Sequence, residues 1–412
     1  MGIMGCIVQK FGGTSVATLD LIKKAALRTK AETEIGHRVV VVVSAMAGKT
    51  NALVNYVRDL STTYDRAEFD TIVSSGEQIT AGLLALSLQN MGIPARSWLG
   101  WQIPIYTSSH YTQAKIERIE TEFLLKDLNK GIVAVVAGFQ GLSPEGRITT
   151  LGRGGSDTTA VALAAALHAE RCDIFTDVEG VYTADPRYVT AAGKLEHIAY
   201  QEMLELAAQG AKVLQRESVE LAMQHHVQLR VLSSLSDAPG TLVSSETEPK
   251  AHRNHIRGLA HTLQTEKLTL YALPQIPTKI DEIKALLKSQ YITLDLIQLN
   301  LSIYKQTFDF SFTIQTSDVE RAIAILQKEK NKLQFNHLLR DSLVAKISVI
   351  GSGLQTEHSA SHKLFQTLRE EGINVQAVSA SDIKLSVLIP SNEVERIVSS
   401  LHTVYQLDAK ET

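Results

Sequence analysis

The chain has 412 residues, 44% hydrophobic and 21% charged, with a net charge of −3. That balance suits a folded protein of two to four domains and carries no nucleic-acid signature. Two cysteines in no CxxC spacing, no apolar run of membrane-spanning length and no basic leader exclude a disulfide framework, a spanning helix and a signal peptide, so a soluble, cytoplasmic protein with no nucleic-acid or membrane partner is expected.

The first apolar run, "CIVQ", is a buried strand followed by "KFGGTSV", Lys10 to Val16. Its two glycines let backbone approach a ligand, and Lys10 adds a charge beside their amides. A turn with a surface lysine fits that loop equally well. The second strand, "RVVVVVS", runs into "SAMAGKTN", which presents the hydroxyls of Ser44 and Thr50. "GKT" imitates a phosphate loop, but Val43 stands where the first hinge glycine is required, so that reading fails. Lys49 is then expected to be an exposed neighbour. "SSGE" opens a helical stretch from Glu77 to Gln89, and "GIVAVVAG" is the next strand.

In "TTLGRGGSDTTAVALAAAL" three glycines, Gly152, Gly154 and Gly155, lead to Ser156 and Asp157 where a helix begins. Unpaired amides at a helix start form an anion site. Ser156 and Asp157 as simple caps are the bland alternative, but an arginine among three glycines is unusual for capping alone. The strand "RCDIFT" precedes a long loop, "TDVEGVYTADPR", Thr176 to Arg187. "GAKVL" with Lys212 then opens a helix, and "VQLRVLSS" is a further strand. His225 and His226 adjoin at a helix end and face different ways, so they form no ligand pair. Strands interleaved with helices predict an α/β fold: a three-layer αβα sandwich on a mainly parallel open sheet, with functional loops at the carboxyl ends of the strands.

Polar "SSETEPKAHRNHIRG", Ser244 to Gly258, breaks this pattern, and beyond it the chain repeats. "KLTLYAL" aligns with "KISVIGS", "YITLDLIQLN" with "GINVQAVSAS", and "FSFTIQTSDVERAI" with "LSVLIPSNEVERIV". Each unit reads strand, helix, strand, strand, helix, and units this small are expected to pair. The expected domains are 1–245, a linker at 246–262, and repeat units at 263–341 and 342–412, which could intertwine.

"KFGGTSV", "SSGE", "GRGGSD", "TDVEGVYTADPR" and "EMLELAAQGAKVL", in this order, resemble the aspartokinases of the amino-acid kinase superfamily. Those enzymes end in two α+β, ferredoxin-like ACT units, so the resemblance spans the whole chain. It implies phosphorylation of the side-chain carboxylate of L-aspartate by ATP with Mg²⁺, giving 4-phospho-L-aspartate for lysine, threonine and methionine synthesis. It further implies that Lys10, Asp157 and Lys212 are catalytic. Arg153 would take the α-carboxylate, while Glu77 and Asp157 face the α-ammonium. Ser44, Thr50 and Ser156 would hold the reacting carboxylate, with Phe139, Gly154 and Gly155 completing the substrate site. Nucleotide would meet Lys10, Phe11, Gly12, Gly13, Thr176, Asp177, Tyr182, Asp185, Arg187, Lys212 and Val213. Tyr182 could instead simply pack.

The chain departs from the family at its effector turns. Neither "ALPQIPTKIDEIKALL" nor "GLQTEHSASHKLFQTL" keeps the Pro-Gly pair of lysine- or threonine-regulated members, and His362 stands where a small residue is expected. Gln298, Asn300 and Asp382 match the remaining effector-contacting strands. Feedback control is therefore expected to be altered, weakened or absent, with the ACT pair kept for a homo-oligomer, either a dimer or a dimer of dimers. Competing readings are a kinase of another small acid and a non-catalytic ACT-based amino-acid sensor. The four charged loop residues Lys10, Arg153, Asp157 and Lys212 argue against the sensor.

Overall fold

The computed structural model describes residues 5–210, 213–245, 256–301, 307–352, 354 and 358–408. They divide into two compact units. Residues 5–181, 194–208 and 213–245 form the first; 182–193, 209–210 and the described residues from 256 onward form the second.

The first unit begins β1 (Cys6–Phe11), α1 (Leu19–Ile35), β2 (Arg38–Val43), α2 (Lys49–Leu60), α3 (Arg66–Val73) and α4 (Ser75–Asn90). β3 (Ala95–Trp98), β4 (Ile105–Thr107), β5 (Ile116–Ile119), α5 (Glu122–Leu128) and β6 (Val133–Ala137) follow. Next come β7 (Gln140–Leu142), β8 (Ile148–Thr150), α6 (Gly155–Ala166) and β9 (Arg171–Thr176). The unit closes with β10 (His197–Ala199), α7 (Tyr200–Ala208), α8 (Arg216–His225), β11 (Leu229–Ser233) and β12 (Thr241–Ser244).

Eight strands make one sheet in the order β10-β12-β11-β9-β1-β2-β6-β3. From β3 to β11 all neighbours are parallel; β12 joins antiparallel. The valine run of β2 explains why the sheet is covered on both faces. Val39, Val41 and Val43 pack with Ile22, Ala26, Leu84 and Leu88 of α1 and α4. Val40 and Val42 point the other way and are equally buried, on the face where α6 lies. Period-two alternation with both sets apolar is what a two-sided sheet demands. A second, four-stranded sheet, β5-β4-β7-β8, lies in the same unit. Its strands are only three or four residues long, too short to leave a periodic signal, and the sequence reading does not contain them.

The second unit holds β13 (Gly258–Thr262), β14 (Thr265–Pro274), α9 (Pro277–Ser289), β15 (Asp295–Leu301), β16 (Thr307–Gln315), α10 (Val319–Lys328), α11 (Lys330–Leu333) and β17 (Leu338–Asp341). β18 (Val344–Ile350), α12 (His358–Glu370), β19 (Ala377–Ala380), β20 (Lys384–Pro390) and α13 (Val394–Val404) complete it. Two antiparallel sheets result, β15-β16-β14-β17 and β13-β18-β20-β19. The repeat shows in chemistry as well as topology. Thr269 and Ser311 pair across β14 and β16 with hydroxyls 2.9 Å apart. Ser348 and Ser386, at the aligned positions, do so across β18 and β20 at 2.7 Å.

Two boundaries differ from the sequence reading. Residues 258–262, placed in the linker, form β13 and pair with β18, so the first repeat is inserted along the chain between two adjacent strands of the second repeat's sheet. Residues 182–193, placed in the catalytic domain, cluster with the second unit because Ala184, Val189 and Ala192 are buried in its core with Ile347, Val387 and Leu401. Of the linker itself, 246–255 lie outside the described residues.

Candidate active site

Parallel pairing in register brings the carboxyl ends of β1, β2, β6 and β9 to one edge: Phe11 pairs with Val43 and Phe175, and Val43 with Ala137. From β1 the chain builds outward through β2 and β6 on one side and later through β9 and β11 on the other. β1 is thus the switch point, where open α/β sheets leave a crevice for ligands.

Alternation along β1 sends Phe11 to the α1/α4 face and Lys10 to the α6 face. Phe11 is fully buried and stacks on Phe175 with centroids 4.6 Å apart. Its side chain is core, and its carbonyl accepts from the Ser44 N–H at 3.1 Å. Lys10 is 8% exposed, and its Nζ stands 2.5 Å from Oδ1 of Asp157. The contact is an ion pair without a directional hydrogen bond to that oxygen.

Asp157 lies in the first turn of α6, where the helix dipole favours a negative charge. The N-cap is Gly154, with no side-chain cap, so Ser156 and Asp157 are not the capping residues of the bland alternative. Gly154 has φ +73, and a Cβ there would meet Cγ of Gln215 at 2.0 Å. Only glycine fits both demands. Ser156 is 7% exposed and packs against Gly138, the residue after β6 ends.

The loop after β1 is held to the loop after β2. The Ala47 N–H donates to Gly13 O at 3.1 Å, and the Gly12 N–H to Phe175 O at 3.1 Å. A Cβ on Gly12 would lie 3.3 Å from Lys10 Nζ, so the glycine leaves room for the ammonium to fold back over the loop. Thr50 is half-buried in the first turn of α2, Ser44 is half-buried at the end of β2, and Lys49 is exposed as expected.

Glu77, in the first turn of α4, is 4% exposed. It accepts the Ala45 N–H, but burial outweighs that bond and pushes its pKa up to about 7. Its Oε2 has no hydrogen-bond partner among the described residues. A buried carboxylate with one oxygen unsatisfied is unfavourable by itself and favourable once a cation arrives.

Phe139 adopts a left-handed backbone, φ 70, between β6 and β7. Its N–H donates to Thr159 Oγ1 at 3.1 Å, and its carbonyl accepts the Leu151 N–H at 3.0 Å. Such strain persists only where the surroundings over-determine it. Arg153 is exposed and has no partner among the described residues. Thr176 ends β9, its hydroxyl donating to Asp177 Oδ1 at 3.1 Å. Tyr182, Asp185 and Arg187 belong to the second unit, and Tyr182 packs on that unit's core. Asp185 and Arg187 pair at 2.6 Å, and the guanidinium holds the Asp185 carboxyl below its usual range. Lys212 lies outside the described residues; Val213 is in a turn before α8, which opens at Arg216. His225 ends α8, the helix end expected there, and His226 is its left-handed cap.

Asp70 was missed from sequence. It is fully buried on α3 and accepts from Thr112 N–H at 2.9 Å, Thr150 N–H at 2.8 Å and Thr150 Oγ1 at 2.7 Å. Those bonds fix the strand end that leads into Gly152 and Arg153. One signal was present: Asp70 shares helical spacing with buried Ala67 and Val73, and a carboxylate on an apolar face calls for partners. A cavity of about 220 Å³ lined by His37, Arg38 and Asn129 opens near the amino ends of β2 and β6. None of the loop residues above lines it.

Residues 5–233 match the amino acid kinase family, and 347–405 match an ACT domain. An aspartate kinase of Stutzerimonas stutzeri is 42% identical over 406 residues, 98% of each chain. The chain belongs to the aspartokinase family. Aspartokinase 2 of Bacillus subtilis is 43% identical over 407 residues, again 98% of each chain. The structure of Escherichia coli aspartokinase III with aspartate and ADP, called the R-state, superposes with a TM-score of 0.82 at 28% identity, covering 97% of this chain and 99% of that one. The same enzyme with lysine and aspartate, called the T-state, gives 0.74 at 29% identity, with the same coverage. The family and the fold class expected from the glycine loops and the repeat are borne out. No helix among the described residues is long and apolar enough to cross a membrane.

Proposed function

We propose that this chain transfers the terminal phosphoryl group of ATP to the side-chain carboxylate of L-aspartate, forming 4-phospho-L-aspartate at the head of lysine, threonine and methionine synthesis. The observation that carries the reading is the buried Lys10–Asp157 pair at the sheet's switch point, with the half-satisfied carboxylate of Glu77 close behind the β2 loop.

The chemistry follows from charge. A carboxylate of ordinary pKa, about 4, is already ionised at neutral pH and needs no general base. The barrier is repulsion between that anion and a polyanionic phosphate, so catalysis consists of positioning and neutralisation. Lys10 supplies a buried cation, Asp157 fixes where it points, and Gly12 and Gly13 bring backbone beside it. Glu77 takes the α-ammonium, joined by Asp157. Arg153, exposed and without a partner among the described residues, takes the α-carboxylate. Ser44, Thr50 and Ser156 hold the reacting carboxylate, and Phe139 shapes the site. Thr176, Asp177, Asp185 and Arg187 serve the nucleotide, with Lys212 and Val213 near its phosphates. Mg²⁺ arrives as the nucleotide's counter-ion. No cluster of three or more metal-ligating side chains occurs among the described residues, so no step is assigned to a protein-held ion.

Gln298 and Asn300 on β15 and Asp382 before β20 are the effector positions, for lysine or threonine. The exposed Ile297, Leu299 and Leu301 on edge strand β15 support a homo-oligomer built through the second unit. We take the reaction to run in the cytoplasm. A coupled ADP-release assay over a panel of amino acids tests the reading. Turnover with aspartate alone supports it, turnover with another small acid transfers it to that substrate, and no turnover favours the sensor.

A further inference from the structure

Residues 182–193 carry Tyr182, Asp185 and Arg187, and α13 with the residues that follow it fastens them from more than 200 positions away. Thr183 is 7% exposed, and its Oγ1 lies 2.8 Å from His402 Nε2, 2.9 Å from the Gly193 N–H and 3.1 Å from the Leu407 carbonyl. The other ring nitrogen, Nδ1, is 3.0 Å from Asp408 Oδ1. A backbone bridge joins Ala192 to Asp408.

His402 is fully buried, and burial lowers its pKa, outweighing the Asp408 carboxylate that raises it. The ring is therefore neutral, and one proton arrangement satisfies the site. Nδ1–H donates to Asp408, Nε2 accepts from the Thr183 hydroxyl, and that hydroxyl accepts from Gly193. Leu407 O competes for the hydroxyl proton. Acid, imidazole and hydroxyl in series resemble an activated nucleophile. Here the hydroxyl is buried and already engaged with backbone, so the series acts as a fastening.

The segment beyond Thr183 is a closed turn. Asp185 Oδ1 accepts the Arg187 N–H at 2.9 Å and the Asp185 carboxylate pairs with the guanidinium; Tyr188 and Val189 N–H groups donate to Asp185 O at 3.0 Å. A turn closed on itself moves as one piece, and its seat is set by Thr183, Ala184, Val189 and Ala192.

We propose that His402, held by Asp408, is a positioning residue for the nucleotide: through Thr183 it seats the turn that presents Asp185 and Arg187. This rests on the reading that those two residues meet ATP.

The test is calorimetric titration of the full chain with ATP and, separately, with aspartate. Thr183→Val and His402→Asn are expected to weaken ATP binding about tenfold, the scale of one well-made buried hydrogen bond, with aspartate binding unchanged. Thr183→Ser keeps the hydroxyl and should bind ATP like the parent. Asp408→Asn, at an exposed position, gives a folded variant with a smaller loss in the same direction. ATP affinity unchanged across the set, or equal losses for both ligands, overturns the proposal. Aspartate-dependent turnover is measured in parallel. A parent that binds ATP and shows the Thr183 dependence without that turnover would sink the reaction reading and leave this one standing.

Discussion

Lys10 Nζ and Asp157 Oδ1 stand 2.5 Å apart with about a tenth of either side chain exposed, one at the end of the central strand and the other in the first turn of the helix that covers it. Removing one charge leaves its partner buried and unpaired, which costs about 3–5 kcal/mol, whereas replacing both by apolar groups can be nearly neutral. Urea unfolding should therefore show Lys10→Met or Asp157→Leu each more destabilising than the double variant. If the double variant is as unstable as the sum of the singles, the pair is not coupled as drawn.

The same lysine has a kinetic signature. Loss of a group that stabilises transition-state charge lowers kcat by roughly 10²–10³-fold. Lys10→Ala is expected to fall by that much in aspartate-dependent ADP release while still folding. Parent-like turnover would move the phosphate site elsewhere.

Glu77 predicts opposite trends for binding and stability. Its pKa rises from 4.5 to about 7 in the fold. The folded state then holds the proton more tightly than the unfolded state, so stability declines as pH climbs from about 4.5 to 7 and levels off above. Glu77→Gln removes this penalty and should be more stable than the parent at pH 8, by up to about 3 kcal/mol. An ammonium ligand needs the ionised form. Accordingly kcat/KM for aspartate should rise through pH 7 in the parent, and Glu77→Gln should lose that step. A parent profile flat from pH 6 to 8 would contradict the assignment.

Asp70 makes no predicted contact with substrate. Asp70→Asn turns an acceptor of three hydrogen bonds into a weaker one facing two N–H donors, and a loss of about 2–4 kcal/mol is expected. The displaced Gly152–Arg153 backbone should raise KM for aspartate with little change for ATP. Equal changes in both constants would indicate general loosening.

Feedback by lysine, threonine or both at millimolar concentration is expected to be weak or absent, since the turns of the second unit lack the Pro-Gly pair and His362 stands exposed on α12. Strong inhibition by either amino acid in the ADP-release assay would overturn this.

Much was legible in the linear chain. Glycine loops after β-branched runs, a valine strand apolar on both faces, and a repeat whose blocks keep their order are local patterns, set by backbone sterics and by side-chain alternation. They suffice for the fold class and the family. Phe11 shows the limit: the motif carries it beside Lys10 and Gly12, and only strand alternation and the stack on Phe175 reveal that its side chain is core. Asp70, Thr183 and His402 show the rest. Their roles depend on partners 42, 80 and 219 positions away, and whether a buried carboxylate or imidazole is satisfied depends on distance in space. Which strand completes the second repeat's sheet was likewise decided by pairing between β13 and β18, because a strand records its own two faces in sequence but not which neighbour will take its edge.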